Sequence, residues 1–216
     1  MQVTIMSQMN SVLNQYMAEL RDVTIQNDSM RFRRNIERMG EIFAYEISKT
    51  LSYNTIEVTT PLGHAHANVL AEQPVLATVL RAGLPLHHGM HNVFDKAENA
   101  FVSAYRQHQK DGSFDVKVEY MASPDLNNKT LILADPMLAT GTSIELTYKA
   151  LLRRGAPKKI HVVSVIASHE GVEYVKKHLP DSISLWIGAV DDELTVQSYI
   201  VPGLGDAGDL SFGIKL

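Results

Sequence analysis

A chain of 216 residues, 45% of them hydrophobic, suits one α/β domain with a sizeable core. It has no cysteine, which excludes a disulfide framework and thiol chemistry. A net charge of -4 gives no basic field for nucleic acid, and the sequence holds no apolar run of bilayer length and no signal-peptide pattern in M-Q-V-T-I-M-S-Q-M-N, so a soluble cytoplasmic protein is expected.

Val12, Leu13, Tyr16, Met17 and Leu20 recur at helical spacing, with Asn10 or Ser11 as the cap. Residues 30–49 predict a second helix capped by Ser29, with Phe32, Ile36, Met39, Phe43 and Ile47 as its apolar stripe. A stripe of this kind reads as core. The basic start, Arg31-Phe32-Arg33-Arg34, reads as a solvated face. Residues 56–60 and 65–70 predict short strands around the turn Pro61-Leu62-Gly63. His64 and His66 share a strand face, and His87, His88 and His91 follow. With no cysteine and no suitably spaced carboxylate they read as surface or pocket-rim histidines, not zinc ligands. Residues 75–80 predict a buried strand running into Arg81-Ala82-Gly83, followed by a helix over 84–94 with Pro85 in its first turn. An arginine at such a turn presents a rigid fork that suits a diphosphate, or simply pairs with a surface acid.

Residues 100–105 predict a strand that ends at Arg106. The polar stretch 107–123 turns at Asp111-Gly112 and alternates Phe114, Val116, Val118 and Tyr120, which predicts an exposed β-arm. The most informative stretch is 130–145. Thr130-Leu131-Ile132-Leu133-Ala134 reads as a strand buried on both faces, and Asp135 and Pro136 end it. Ala139-Thr140-Gly141-Thr142-Ser143 is small and hydroxylated, and a helix follows over 143–154, with Thr142 or Ser143 as its N-cap and Gly155 as its stop. Loop N–H groups, hydroxyls and a helix N-terminus suit a phosphate. Asp135 would repel that phosphate at contact, so it suits a ribose hydroxyl attached to it. An ordinary strand–turn–helix with a surface aspartate fits the residues equally well. Residues 160–167, 171–178 and 184–189 predict strand, helix and strand, so the second half reads as βαβ units on a parallel sheet.

Tyr199-Ile200-Val201-Pro202-Gly203-Leu204-Gly205-Asp206-Ala207-Gly208-Asp209 contains G-x-G-x-x-G. Too little chain follows for a dinucleotide fold. The stretch reads instead as a loop whose backbone approaches a ligand closely.

Three motifs carry a resemblance. D-P-M-L-A-T-G-T-S at 135–143 resembles the phosphoribosyl pyrophosphate (PRPP) loop of the uracil phosphoribosyltransferases, L-R-A-G at 80–83 their diphosphate loop, and Y-I-V-P-G-L-G-D-A-G-D at 199–209 their base loop. The likeness runs from Arg31-Phe32-Arg33 to Phe212-Gly213. It departs at Thr142, where many members have glycine, at Leu210, where Lys or Arg is common, and over 86–91. The resemblance implies the type I phosphoribosyltransferase fold, a mainly parallel sheet flanked by helices. A small hood would come from the N-terminal segment and 190–216, and a β-arm from about 107–123, all in one domain over 1–216. It implies that uracil and PRPP give UMP and diphosphate. Arg81, Arg106, Asp135 and Asp206 would be catalytic. PRPP would meet Arg81, Arg106, Asp135, Pro136, Met137, Leu138, Ala139, Thr140, Gly141, Thr142, Ser143 and Asp206. Uracil would meet Ile200, Gly205, Asp206 and Ala207. Mg²⁺ would arrive with PRPP, without a protein metal site. A homodimer or higher homo-oligomer and a GTP activator are partners the resemblance allows, with no nucleic acid and no membrane. An RNA-binding regulator on the same fold is the alternative of another class, and the acidic balance and base loop disfavour it.

Overall fold

A computed structural model describes residues 1–108 and 114–215. In chain order the elements are β1 (Gln2–Ile5), α1 (Val12–Arg21), α2 (Ser29–Ser48), β2 (Tyr53–Thr60), β3 (Gly63–Leu70), β4 (Val75–Leu80) and α3 (Gly83–Val93). They continue with β5 (Glu98–His108), β6 (Phe114–Ala122), β7 (Thr130–Ala134), β8 (Met137–Leu138), α4 (Thr142–Leu151) and β9 (Lys159–Ser168). The chain ends with α5 (His169–His178), β10 (Ser184–Asp191), β11 (Glu193–Leu194), β12 (Ile200–Val201) and α6 (Ala207–Phe212).

The main sheet runs β1-β10-β9-β7-β4-β5-β6, with β8 added on β9. Its pairings are parallel except β5 with β6. The apolar runs of β4, β7 and β9 are buried on both faces because helices cover both. One core cluster joins α1, α2 and α3 to one face through Leu13, Phe32, Ile36, Met39, Phe43 and Leu86. The other joins α4 and α5 through Ile144, Leu151, Val172 and Val175. The two-faced mainly parallel sheet matches the fold expected from the sequence.

Several local expectations are corrected. Asp28, not Ser29, caps α2: its carboxylate accepts from the Met30 and Arg31 N–H groups. A full charge on the residue one place earlier outcompetes a hydroxyl at this positive helix end. Neither Thr142 nor Ser143 caps α4; Gly141 is the N-cap, in a left-handed turn with no side-chain cap. Hairpin β2–β3 is longer than expected and turns on Pro61-Leu62, with Thr60 opposite Gly63. β1 was not foreseen. His64, His66 and His88 are exposed, as expected, but His87 is buried against Phe101. The Asp111-Gly112 turn lies outside the described residues. The strands flanking it, β5 and β6, do pair antiparallel, with Arg106 opposite Val116.

Helices α2 and α3 cross backbone to backbone. A Cβ on Gly40 would lie 2.4 Å from the Leu86 carbonyl, and one on Gly89 only 1.9 Å from that of Glu37. This crossing fixes the helix that begins immediately after Arg81.

His161, fully buried in β9, accepts a hydrogen bond at Nδ1 from Trp186 Nε1 at 3.1 Å. Burial, with a smaller push from Lys159, lowers its pKa from 6.5 to about 4. The unfolded chain therefore takes up a proton that the folded chain refuses as pH falls from 6.5 towards 4. Stability should be lost through that window, by about 3 kcal/mol at its lower end. His161→Gln keeps an acceptor for Trp186 and does not titrate. Its urea midpoint should fall less between pH 7 and pH 4 than that of the wild type, and parallel slopes would refute this.

Candidate active site

Three loops meet at the carboxyl ends of the parallel strands. In such a sheet the strand ends open a crevice for ligands. The loop after β7 carries Asp135 to Gly141, the loop after β4 carries Arg81, and the chain's last turn carries Gly203 to Asp209.

The first loop is shaped by its own sequence. Asp135 continues β7 by one bond, its N–H donating to the Val163 carbonyl, and its carboxylate is 9% exposed. That carboxylate accepts from the Met137 N–H at 3.2 Å, an Asx turn around Pro136. Met137 and Leu138 then pair with β9 as β8, so Pro136 interrupts the ladder without ending it. Gly141 turns at φ 83°, which only glycine adopts cheaply, and opens α4 with its N-terminal amides towards the loop. The Thr140 and Thr142 hydroxyls are 3.1 Å apart. Asp135, Met137, Leu138, Ala139, Thr140, Gly141, Ser143 and Ile144 line a small concavity here. Its chemistry is that of an anion cradle with one carboxylate at its edge.

The loop is seated on α5. Ser168 Oγ donates to the Ala139 carbonyl at 2.6 Å and accepts from the Gly171 N–H at 2.8 Å. A Cβ on Gly171 would lie 2.3 Å from the Ala139 carbonyl, so the two backbones touch. Tyr174 fills the other side, where a Cβ on Gly141 would come within 2.7 Å of its ring.

Arg81 follows a cis Leu80–Arg81 peptide bond. Gly83 brings this loop beside the first: its Cβ would lie 2.1 Å from Thr78 Oγ1 and 3.4 Å from the Ala134 carbonyl. Thr78 Oγ1 in turn donates to that same carbonyl at 3.3 Å. Arg81 Nη2 donates to Asp209 Oδ1 at 2.9 Å and Nη1 to the Gly213 carbonyl at 3.3 Å. The diphosphate and base loops of the resemblance therefore touch.

The C-terminal loop turns sharply at Gly203, with φ 64° and a cis Val201–Pro202 bond before it. Asp191 holds that turn. Its carboxylate takes two bonds from Arg21, at 2.6 and 2.7 Å, and one from the Gly203 N–H at 2.8 Å. Burial raises the Asp191 pKa, but Arg21 and the Gly203 N–H overcome it and the net shift is downward. Gly205 also has positive φ, at 86°. Asp206 then caps α6, its Oδ1 accepting from the Gly208 and Asp209 N–H groups. The stretch read as loop thus ends in a six-residue helix, although no βαβ unit follows it. Ile200 and Ala207 are buried in the core cluster that joins α1, α2 and α3 to the sheet.

The structure brings Arg81, Asp135, residues 136–143 and residues 200–209 together. Arg106 lies on β5, which pairs with β4, but its side chain is outside the described residues. Arg21, Asp191, Ser168, Glu145 and Tyr174 escaped the sequence reading. Their bonds to the loops come from far along the chain, although Ser168 also caps α5 and Glu145 pairs with Lys149 four residues on. Among the described residues no three His, Asp or Glu side chains converge as a metal site. Among them, too, no helix is long and apolar enough to cross a membrane.

Gly141→Val should be nearly inactive, since it combines positive φ with a clash against Tyr174. Thr142→Gly should stay active with modestly weaker PRPP binding, as Thr142 is the first helical residue and carries no left-handed strain. Steady-state assays with PRPP varied check both, and the opposite ranking would misplace the turn.

A family model described as uracil phosphoribosyltransferase matches residues 7–214. The uracil phosphoribosyltransferase of Porphyromonas gingivalis is 58% identical over 207 residues, 96% of each chain. A solved protein structure from Aquifex aeolicus matches all of both chains with TM-score 0.88 at 26% identity. A hypoxanthine phosphoribosyltransferase structure from Staphylococcus aureus matches with TM-score 0.51 at 14% identity, covering 86% of this chain and 84% of that one, and shows the fold alone. Family model and curated relative agree over nearly the whole chain, and so do the three motifs that the sheet brings to one crevice: the chain belongs to the uracil phosphoribosyltransferase family.

Proposed function

We propose that this chain converts uracil and PRPP to UMP and diphosphate, as the names of its relatives indicate for them. The observation that carries the reading is the junction of the three loops, closed by the Arg81–Asp209 contact at 2.9 Å. Uracil N1 attacks the anomeric carbon, the N1–C1′ bond forms, and the C1′–O bond to diphosphate breaks. The transition state has oxocarbenium character, by analogy with glycosyl transfer to water. Positioning and electrostatics supply most of the acceleration. Arg81 and Arg106 stabilise the departing diphosphate. Asp135 orients the ribose. Ala139, Thr140, Gly141, Thr142 and Ser143 anchor the 5′-phosphate, with Pro136, Met137 and Leu138 shaping the approach. Ile200, Gly205 and Ala207 contact uracil. Asp206 serves the base proton or the metal's water shell while its Oδ1 caps α6.

The donor set fits a Mg²⁺ that is carried by PRPP rather than by a protein cage. Asp135 and Asp206 would reach such an ion through water, and it would share the charge of the departing diphosphate. We also place the N-terminal segment and residues 190–216 as a hood over the crevice, residues 107–123 as a β-arm beside it, all in one domain, and the activity in the cytoplasm. Hairpin β2–β3 supports self-association, because a two-stranded ribbon with Ile56, Val58 and Val69 exposed is marginal alone. Light scattering tests that, and added GTP tests an activator. The activity itself is tested with uracil, cytosine, hypoxanthine, guanine and adenine, each with PRPP and Mg²⁺. Diphosphate release with uracil alone is expected. Release with a purine, or none with any base, would overturn the reading.

A further inference from the structure

Glu145 lies in the first turn of α4 and is 8% exposed. A carboxylate there stabilises a bare helix N-terminus, but it opposes a phosphate bound at the same end. Both its oxygens are engaged by side chains. Lys149 Nζ donates to Oε1 at 2.6 Å, and the Tyr174 hydroxyl donates to Oε2 at 2.6 Å. The first of these bonds and then the second hold the Glu145 carboxyl below the usual range. The bond to Glu145 raises the Tyr174 phenol, and an opposing hydrogen bond comes from Thr142.

Tyr174 therefore meets the loop at two places. Its ring lies against the left-handed turn of Gly141, and its hydroxyl is held by Glu145 in the first turn of α4. The His178 ring stacks on it at 3.9 Å, which limits its swing. Thr142 is one of the places where this chain departs from the resemblance. Its hydroxyl is paired with that of Thr140, at 3.1 Å.

We propose that Tyr174 is a positioning residue for the 5′-phosphate, acting through Gly141 and held in place by Glu145. It does not touch substrate. It fixes the turn that aims the loop amides, and it shares the Glu145 carboxylate with Lys149. The inference rests on the reading of 135–143 as the PRPP loop.

The test is steady-state kinetics with PRPP and uracil varied separately, beside calorimetric PRPP binding and thermal midpoints. Tyr174→Phe keeps the ring and loses the hydroxyl. Its KM for PRPP should rise about fivefold, the scale of one net hydrogen bond. Its kcat, KM for uracil and thermal midpoint should stay near wild type. Tyr174→Leu also loses the ring and should raise the PRPP KM further. If Tyr174→Phe does not fold, Glu145→Gln reads the same bond from its other end, with the same direction expected. An unchanged PRPP KM in Tyr174→Phe overturns the proposal, as does a parallel loss in both KM values together with the midpoint. Gly141→Val separates the two failures. If it binds PRPP like wild type, the loop is not the phosphate site and the underlying reading falls. If it loses PRPP while Tyr174→Phe is unaltered, only the role of Tyr174 falls.

Discussion

Arg81→Ala should lower kcat/KM by about 10²–10³-fold, the scale of one preorganised donor at a centre of developing charge. The guanidinium is placed by the turn after β4, by Asp209 and by the Gly213 carbonyl. Its two amino groups already address two oxygen acceptors, which is the geometry that a diphosphate would meet. Arg81→Lys should rescue little, because an ammonium offers a point charge in place of a fork. The thermal midpoint should move little, since the ion pair with Asp209 is partly exposed and such pairs contribute about 0–1 kcal/mol. Near wild-type turnover in Arg81→Ala would remove this residue from the reaction.

Uracil should be preferred over cytosine by about 10⁴–10⁵-fold, on the scale of buried polar mismatch. Uracil offers acceptors at O2 and O4 and a donor at N3, and cytosine reverses the pattern at N3 and position 4. An N–H from Gly205 or Ala207 suits O4, and the Ile200 carbonyl suits N3–H. Readout through main chain predicts that side-chain changes at Ile200 alter affinity more than preference. Ala207→Val should block the base by bulk while PRPP still binds, and because Ala207 is 1% exposed within the core its thermal midpoint should fall as well. Deleting residues 203–216 should abolish transfer, and it also removes Asp209 from Arg81. Equal use of cytosine by the intact enzyme, or UMP formation by the truncated one, would place base recognition elsewhere.

What was legible in the sequence is what neighbouring residues determine. The run at 130–134 is a strand whatever surrounds it, because its side chains need two apolar faces. Gly141 announces a left-handed turn, and Pro85 sits in the first turn of α3. The three site motifs are contiguous, so each could be placed on the chain before its neighbours in space were known. What escaped depends on distant partners. Asp28 and Ser29 are both good caps, and the outcome turned on which one stood just outside the helix. Gln2–Ile5 alternates weakly and becomes a strand only against Ser184–Ile187. His87 looked like one of a polar group, yet α3 turns it onto Phe101. The seat of the loop after β7 joins Ala139 to Ser168, 29 positions apart; Ser168 is legible as the cap of α5, but its bond to Ala139 is not.

The edge strand β1 pairs with β10, which begins only at Ser184. Arg21 likewise waits for Asp191 and Gly203. Such contacts of high sequence separation form late, because the long loop between them must close first. During synthesis β1 therefore leaves the ribosome well before the strand it pairs with, and Arg21 well before Asp191. The central units β4-α3-β5 and β7-α4-β9 can assemble vectorially, but the segment that holds the base turn cannot. A chain halted before Asp191 would carry the loops after β4 and β7 but neither the Gly203 turn nor the carboxylate that holds it.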